Sequence, residues 1–162
     1  MKLPSSRLAN GIGFLICASL LGYAYYAQFS DNLEPCPLCI FQRIGVIALA
    51  VLFVLAALHN PARIGARVYA VLIGLASIGG GAVAARHVYL QHLPPDRVPE
   101  CGPGLEYMLD VFPLGEALQQ VFKGSGECAD VSWTFLTLSM PSWVLMWFVA
   151  LGVAGVVRNW TR

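Results

Sequence analysis

The sequence predicts an all-α membrane protein, in which four transmembrane helices form a bundle and a short amphipathic helix lies in a long outer loop. Three observations support this fold class. Of the 162 residues, 57% are apolar and 12% are charged, against about 45–50% and about 25% in an average soluble domain. Four long runs are nearly free of ionisable groups, and the charges are sorted by sign between the connections. The net charge of +1 gives no indication of a nucleic-acid partner.

Each apolar run is long enough to cross a bilayer as a helix. A transmembrane helix needs about 17–25 predominantly apolar residues, and a helix satisfies its own backbone polar groups in lipid. We expect a single integral membrane domain over residues 1–162, with helices at 8–29, 44–62, 68–85 and 140–157. The outer loops then cover residues 30–43 and 86–139.

The first run follows two basic residues and could therefore belong to a signal peptide. However, it has no small-residue cleavage site, and it continues through Tyr23, Tyr25 and Tyr26, which are typical of the aromatic belt at a membrane surface. We therefore expect this helix to be retained. Cys17, in its middle, is expected to act as a small apolar residue without a function.

Basic and acidic residues lie on opposite sides of the predicted bundle. The N-terminal segment, the connection between the second and third helices and the C-terminus each carry two basic residues and no acidic one. All nine Asp and Glu residues lie in the other two loops. Because short cytoplasmic loops are enriched in Lys and Arg, we expect both termini in the cytoplasm and the acidic loops outside.

The middle of the chain contains helix-breaking residues at the turn between the second and third helices, and small residues within the third helix. Asn60-Pro61 and Gly65 mark the turn between the second and third helices. The third helix contains four glycines, which let transmembrane helices approach closely. We interpret these glycines as packing residues.

The long outer loop contains one amphipathic segment, in PLGEALQQVFKG. Its apolar residues recur at i, i+3, i+4, i+7 and i+8, namely Leu114, Ala117, Leu118, Val121 and Phe122. This spacing predicts a short helix with one apolar face. Such a face either lies in the membrane interface or packs onto the helix bundle.

Four of the five cysteines, Cys36, Cys39, Cys101 and Cys128, lie in the outer loops, where disulfides persist. Their spacing suggests that Cys36 pairs with Cys39 and that Cys101 pairs with Cys128. Three interpretations are open. The first is a pair of structural disulfides, of which Cys101–Cys128 would contribute about 3–4 kcal/mol through loop closure. A Cys₄ zinc site is the second interpretation, although such a site usually includes two close pairs. The third is a redox-active dithiol.

The setting of the Cys-x-x-C pair favours redox chemistry, because its ring is too small to constrain much chain. Pro35 and Pro37 suit the start of a helix, so Cys36 and Cys39 fall in its first turn, where the helix dipole favours a thiolate. Arg43 follows Cys39 by four residues and shares its face, so its charge also favours the thiolate. An Arg inside a transmembrane segment is costly and indicates a functional site; snorkelling to the interface is the alternative.

Net disulfide formation also needs an electron acceptor, since thiol–disulfide exchange moves a disulfide without creating one. A quinone is the lipid-soluble candidate, with its ring beside Cys39. Arg43 would donate hydrogen bonds to a quinone oxygen, and His87, near the outer end of the third helix, is a second candidate donor or proton relay. The alternative for His87 is an interfacial histidine without a role. His59 and His92 are expected to be loop-end residues.

The chain resembles the DsbB family of disulfide bond formation proteins from residue 8 to about residue 157. The likeness rests on CPLCIFQR at the start of the second helix, on GSGECA around the last cysteine and on WTFLTLSMPSW before the last helix. It implies a thiol:quinone oxidoreductase of the bacterial inner membrane. Its partner would be a periplasmic DsbA-like thioredoxin-fold protein, and its acceptor would be a quinone, expected to be ubiquinone.

The resemblance also implies an order of events. The reduced partner attacks the Cys101–Cys128 disulfide and forms a mixed disulfide at Cys101. Cys128 then exchanges with Cys36, which leaves Cys39 as a thiolate against the quinone, held by Arg43. Reduction of the quinone restores the Cys36–Cys39 disulfide.

His87 matches the family's histidine near the quinone, and two positions depart from the common pattern. Pro37 stands inside the Cys-x-x-C, where an aliphatic residue is also usual, and Gln42 occupies a position that can be acidic in relatives.

Vitamin K epoxide reductase-like proteins combine similar parts, but their Cys-x-x-C follows the loop cysteines, so the order here favours DsbB. A disulfide-stapled membrane scaffold without redox turnover is the alternative from another class.

Overall fold

The fold is described from a computed structural model of the chain. The structure describes residues 5–30, 35–98, 107, 110–124, 126–131 and 133–161. Across these residues the helices are α1 (Ser6–Ser30), α2 (Pro37–His59), α3 (Arg63–Gln91), α4 (Leu114–Lys123) and α5 (Met140–Trp160). Single turns of 3₁₀ helix occur at Pro95–Arg97 and Gly126–Cys128, and a small hairpin pairs β1 (Thr134–Phe135) with β2 (Leu138–Ser139).

Four of these helices, α1, α2, α3 and α5, are long and apolar enough to cross a membrane. At most 33% of the apolar window in any of them is buried inside the protein. Large apolar side chains therefore lie on the outside of the bundle, as with Ile64 and Ile78, which are 81% and 71% exposed. Because exposed apolar surface of this extent is stable in lipid rather than water, the predicted four-helix membrane protein is confirmed.

All four long helices extend beyond the charge-free runs at one or both ends, and the ends that matter for the site are the start of α2 and the end of α3. α2 begins at Pro37, upstream of the predicted start at residue 44, and α3 continues to Gln91, beyond the predicted end at residue 85. α2 can begin at Pro37 because proline is tolerated in the first turn of a helix, where its missing N–H costs little. Consequently Cys39 lies in the first turn of α2, as Pro35 and Pro37 predicted, and Arg43 and His87 are held by helices rather than by the predicted outer loops.

Small residues let the helices pack closely in the core. The ring of Phe148 on α5 lies directly against Gly80 on α3 and Gly45 on α2, and a Cβ atom on Gly80 would overlap the ring. The ring of Phe53 on α2 fits in the same way against Gly13 and Gly155. The packing role expected of the glycines in the third helix is confirmed for Gly80, whereas a Cβ atom on Gly79 would meet nothing within 4 Å.

The ends of the bundle differ in how they are closed. We call the end at which α2 begins and α3 ends the cysteine end. At the other end, Asn10 on α1 and Asn159 on α5 exchange two side-chain hydrogen bonds, of 3.1 and 3.0 Å. Both residues are buried, so this pair fixes α1 against α5, which otherwise pack much less closely than α3 and α5.

The amphipathic helix α4 is present and contacts the bundle. Val121 is 2% exposed and packs with Leu90 and Cys128 in an apolar cluster at the cysteine end. Arg86 of α3 donates hydrogen bonds to the carbonyl oxygens of Phe122 and Lys123, which caps the last turn of α4. At its C-terminal turn, the helix therefore packs on the bundle, the second of the two placements considered from the sequence.

Candidate active site

The Cys-x-x-C pair occupies the first turn of α2. Cys36 is the N-cap residue, with extended backbone angles, and Pro37 follows at the first helical position. The Sγ atoms of Cys36 and Cys39 lie 3.2 Å apart. Cys36 is buried and Cys39 is half-buried. Both sulfurs therefore lie at the positive end of the helix dipole, as the sequence predicted.

His87 projects from α3 towards the cysteine pair. Its Nε2 atom lies 3.8 Å from Cys36 Sγ, and its Nδ1 atom lies 4.0 Å from Cys39 Sγ. The imidazole is buried, with 3% of the residue exposed. His87 was one of the sequence-predicted site residues, and the extension of α3 to Gln91 is what brings it to the sulfurs.

Cys128 reaches the same place from the long loop. It ends the 3₁₀ turn Gly126–Cys128 and is fully buried. Its Sγ, the Sγ of Cys36 and a ring nitrogen of His87 all lie within 4.8 Å of one another. The apolar cluster with Leu90 and Val121 holds this turn against the bundle. Two residues more than 90 positions apart in the chain are thereby brought close enough for their sulfurs to react after a small movement.

Arg43 links α2 to α1. Its guanidinium group donates one hydrogen bond to Gln28 Oε1 and another, of 3.1 Å, to the carbonyl oxygen of Ala24. It also lies over the ring of Tyr25, 5.0 Å from the ring centre. The sequence placed Arg43 on the same face of the helix as Cys39, and both residues do line one cavity. Both hydrogen bonds of the guanidinium group, however, are made to α1.

Gln42 is a site residue whose contacts the sequence did not indicate. It is 4% exposed, and its side-chain Nε2 lies 2.9 Å from Nδ1 of His87. The one available signal was a polar amide in an apolar helix three residues after Cys39. Its partner could not be predicted, because that partner lies on another helix.

A cavity of about 430 Å³ opens beside these residues, between α1 and α5. Cys39, Arg43 and His87 line its polar side, and Leu20 and Val46 belong to its apolar wall. A volume of this size is typical of small-molecule sites, which combine apolar walls with a few convergent polar groups. The cavity is therefore the candidate binding site for a small, largely apolar ligand.

Aromatic side chains from the hairpin cover one side of the cavity. The rings of Tyr23 and Trp133 are 5.8 Å apart, those of Trp133 and Phe135 are 6.2 Å apart, and those of Phe135 and Trp143 are 6.0 Å apart. The indole N–H of Trp143 donates to the carbonyl oxygen of Phe135 and fixes the hairpin to α5. All four rings belong to the lining, so aromatic faces are presented to any ligand inside.

The remaining candidates lie elsewhere or outside the described residues. Cys101 is not among the residues that the structure describes, so its pairing with Cys128 stays a prediction. Cys17 is fully buried in the apolar core, consistent with a small apolar residue. His59 contacts the hydroxyl of Tyr69 far from the cavity, and Nδ1 of His92 contacts the carbonyl oxygen of Val88.

The clustered donors permit two kinds of chemistry. Cys36, His87 and Cys128 offer two sulfurs and an imidazole, a donor set that also suits a soft metal ion such as zinc. The same proximity suits thiol–disulfide exchange, in which one sulfur attacks another in line. The pair of adjacent sulfurs at Cys36 and Cys39 favours exchange, because a disulfide can form there with little movement.

The comparisons with known proteins agree with this geometry. A family model described as "Disulfide bond formation protein DsbB" matches residues 6–158. A protein of Methylococcus capsulatus named "Disulfide bond formation protein B" is 54% identical over 160 residues, which cover 99% of this chain and 98% of the relative. Proteins of the same name from Nitrosococcus oceani and Acinetobacter baumannii are 54% and 50% identical, over 92% and 91% of this chain and 88% and 86% of the relatives.

Proposed function

The chain belongs to the DsbB family of disulfide bond formation proteins, and from this premise we propose that it oxidises a periplasmic DsbA-like dithiol and passes the two electrons to a membrane quinone. The observation that carries the proposal is the convergence of Cys36, Cys39, Cys128 and His87 beside one apolar cavity. The cavity is lined in part by helices that are long and apolar enough to cross a membrane, which suits an acceptor dissolved in lipid.

The proposed sulfur steps balance as follows. A thiolate of the partner attacks Cys101 of the Cys101–Cys128 disulfide, forms a mixed disulfide and releases Cys128 as a thiolate. Cys128 attacks Cys36; the Cys36–Cys128 bond forms, the Cys36–Cys39 bond breaks, and the electron pair leaves on Cys39. The Sγ atoms of Cys36 and Cys128 lie within 4.8 Å of each other, which supports this second step. The partner's second thiolate displaces Cys101, so the partner leaves with its own disulfide. Cys101 then attacks Cys128, which restores the Cys101–Cys128 bond and releases Cys36 as the second thiol beside Cys39. Overall the partner's dithiol loses two electrons and two protons.

The residues around the cavity fit a quinone ring. Its aromatic walls suit the faces of a planar ring, the N–H groups of Arg43 suit its oxygens, and His87 lines the same cavity. When bound, the quinone would supply the acceptor for two electrons and two protons. Arg43 would bind and orient the ring, and its contacts with Gln28 and Ala24 hold the guanidinium group ready for that task. Ubiquinone is the proposed acceptor.

The proposed location is the bacterial inner membrane, with both termini in the cytoplasm and the cysteine end facing the periplasm. The sorted charges support this orientation, since the three acid-free segments each carry two basic residues. The periplasm is also a compartment in which disulfides persist.

A structural zinc site is a second candidate function for the cysteine cluster, supported by the three soft donors of Cys36, His87 and Cys128. Such a site would hold two of the reactive sulfurs permanently as metal ligands. It would therefore give a protein with stoichiometric metal and no turnover, which separates it from the redox proposal.

The proposal is tested by quinone reduction with the purified full-length protein, a reduced DsbA-like partner and a soluble ubiquinone analogue. We expect the wild type and Cys17→Ser to reduce the quinone and Cys39→Ser to lose at least about 100-fold in rate, because the electron pair then has no sulfur beside the acceptor. Cys17→Ser is the matched control, since Cys17 lies in the apolar core. If the wild type reduces no quinone and carries bound zinc, the structural site replaces the proposal; without zinc, a disulfide-stapled scaffold replaces it.

A further inference from the structure

We propose that Gln42 is the positioning residue of His87: its side-chain amide occupies Nδ1 of the imidazole and thereby directs the Nε2–H group at the sulfur of Cys36. This inference deepens the proposed function and rests on it for the effect on sulfur exchange. The orientation of the imidazole itself is independent of that function.

The hydrogen bond between the two side chains determines the tautomer. A neutral imidazole has one N–H group and one lone pair, on different nitrogens. The amide of Gln42 donates to Nδ1 of His87 over 2.9 Å, which requires the lone pair on Nδ1. The proton of the ring is therefore on Nε2, the nitrogen that lies 3.8 Å from Cys36 Sγ.

The surroundings make this hydrogen bond hard to replace. Gln42 and His87 are 4% and 3% exposed, so water does not readily take the place of the amide. A buried polar group left without a partner costs about 1–3 kcal/mol. Both residues project from closely packed helices, Gln42 from α2 and His87 from α3, so the imidazole cannot easily turn to another partner.

The Nε2–H tautomer is the one that assists exchange between the sulfurs. Cys128 carries a negative charge when it attacks Cys36, and an N–H group beside Cys36 Sγ stabilises that charge as it is shared between the two sulfurs. The opposite tautomer would aim a lone pair at the same sulfurs and repel the thiolate. In this role His87 donates a hydrogen bond and need not transfer its proton. Gln42 touches neither sulfur through a hydrogen bond and acts through the ring.

Two substitutions distinguish the proposed positioning of His87 by Gln42 from a contribution of Gln42 to packing alone. Gln42→Leu keeps the size of the side chain and removes the donor, so both tautomers should become populated. Gln42→Glu keeps the shape and reverses the polarity, because a carboxylate accepts a hydrogen bond and draws a proton to Nδ1. The control is Gln91→Leu: Gln91 lines the same cavity one turn beyond His87 on α3, but it accepts its hydrogen bond from Ser139.

The readout is the side-chain ¹⁵N spectrum of histidine in the full-length protein in detergent micelles. The protein has three histidines, and the signals of His87 are assigned by their loss in His87→Gln. We expect the Nε2–H tautomer in the wild type and in Gln91→Leu, a mixture in Gln42→Leu, and a proton on Nδ1 in Gln42→Glu. Single-turnover exchange between Cys128 and Cys36 should slow about tenfold in Gln42→Leu, the effect of one lost hydrogen bond to a charged group.

Three results would overturn the proposal. These are a proton on Nδ1 in the wild type, His87 signals that Gln42→Leu leaves unchanged, and an unchanged exchange rate in a variant whose tautomer has shifted. If Gln42→Leu does not fold, Gln42→Glu carries the same test. Since the spectrum is recorded on the protein at rest, it stays decisive even if the wild type reduces no quinone, a result that would refute the proposed function alone.

Discussion

At the scale of single residues, the cavity depends on polar side chains that contact each other across helices. Arg43 reaches α1 through Gln28 and Ala24, and Gln42 reaches α3 through His87. Both residues lie within about one turn of Cys39 on α2. Because polar groups in apolar surroundings need partners, these contacts hold the guanidinium and imidazole groups in fixed positions beside the sulfurs.

The planar set of N–H donors on the Arg43 guanidinium group should contribute more to ligand binding than its positive charge does. We expect Arg43→Lys to raise the KM for quinone about tenfold and to change kcat less, because an ammonium group cannot keep the contacts with Gln28 and Ala24 while donating to a ligand. The measurement is steady-state quinone reduction at saturating partner concentration. Arg63→Lys, at the other end of the bundle, is the control; equal KM values in the two variants would contradict the assigned role.

The chemistry of single residues could be predicted in part from the sequence. Cys36, Cys39 and Arg43 were indicated because their spacing is local, set by one helical turn. The contact of Gln42 with His87 and the approach of Cys128 to Cys36 were not derivable from spacing, because they depend on which faces of α2 and α3 meet and on where a long loop returns.

At the scale of elements, the close approach of α3 and α5 depends on glycines, among them Gly80. The Phe148 ring fills the space where Gly80 would carry a Cβ, whereas Gly79 has open space beside it. The same helix therefore offers two neighbouring glycines with opposite roles, one in the core and one facing outwards.

We expect Gly80→Ala to lower the free energy of unfolding by about 1–3 kcal/mol through overpacking against Phe148. Gly79→Ala should change it by less than about 1 kcal/mol, since the added methyl group meets nothing and Ala favours the helix. Unfolding in a denaturing-detergent titration measures both variants. A Gly80→Ala protein as stable as Gly79→Ala would refute this account of the core.

The existence of the four long helices followed from composition, while their ends and the hairpin did not. Arg43 and Arg86 ended the charge-free runs, yet both remain inside helices because each finds carbonyl or amide partners. The hairpin turn places Leu136 and Thr137 at positive φ, a conformation that usually requires Asn or Gly. Neither Asn nor Gly occupies these two positions, so the sequence did not predict the turn.

At the scale of the whole molecule, the cavity exists because α1 and α5 separate towards the cysteine end. Asn10 and Asn159 join the two helices at the opposite end, and the hairpin with Trp133 bridges from α5 to Tyr23 of α1 near the cysteines. The fold thus places a largely apolar cavity beside the sulfurs of Cys36 and Cys39.

The most direct test of the account is whether Cys36 and Cys128 exchange within the protein. In Cys17→Ser/Cys39→Ser, the Cys36 thiolate can attack Cys128 of the predicted Cys101–Cys128 disulfide and release Cys101. Trypsin separates the three cysteines, because Arg43, Arg97 and Lys123 divide them among peptides 8–43, 98–123 and 124–158.

After acid quenching and alkylation, mass spectrometry of the digest identifies the linked pair. The account predicts a disulfide between peptides 8–43 and 124–158, with Cys101 alkylated in peptide 98–123. If Cys36 is fully alkylated and peptide 124–158 is linked only to peptide 98–123, the relay between the two cysteine pairs is contradicted.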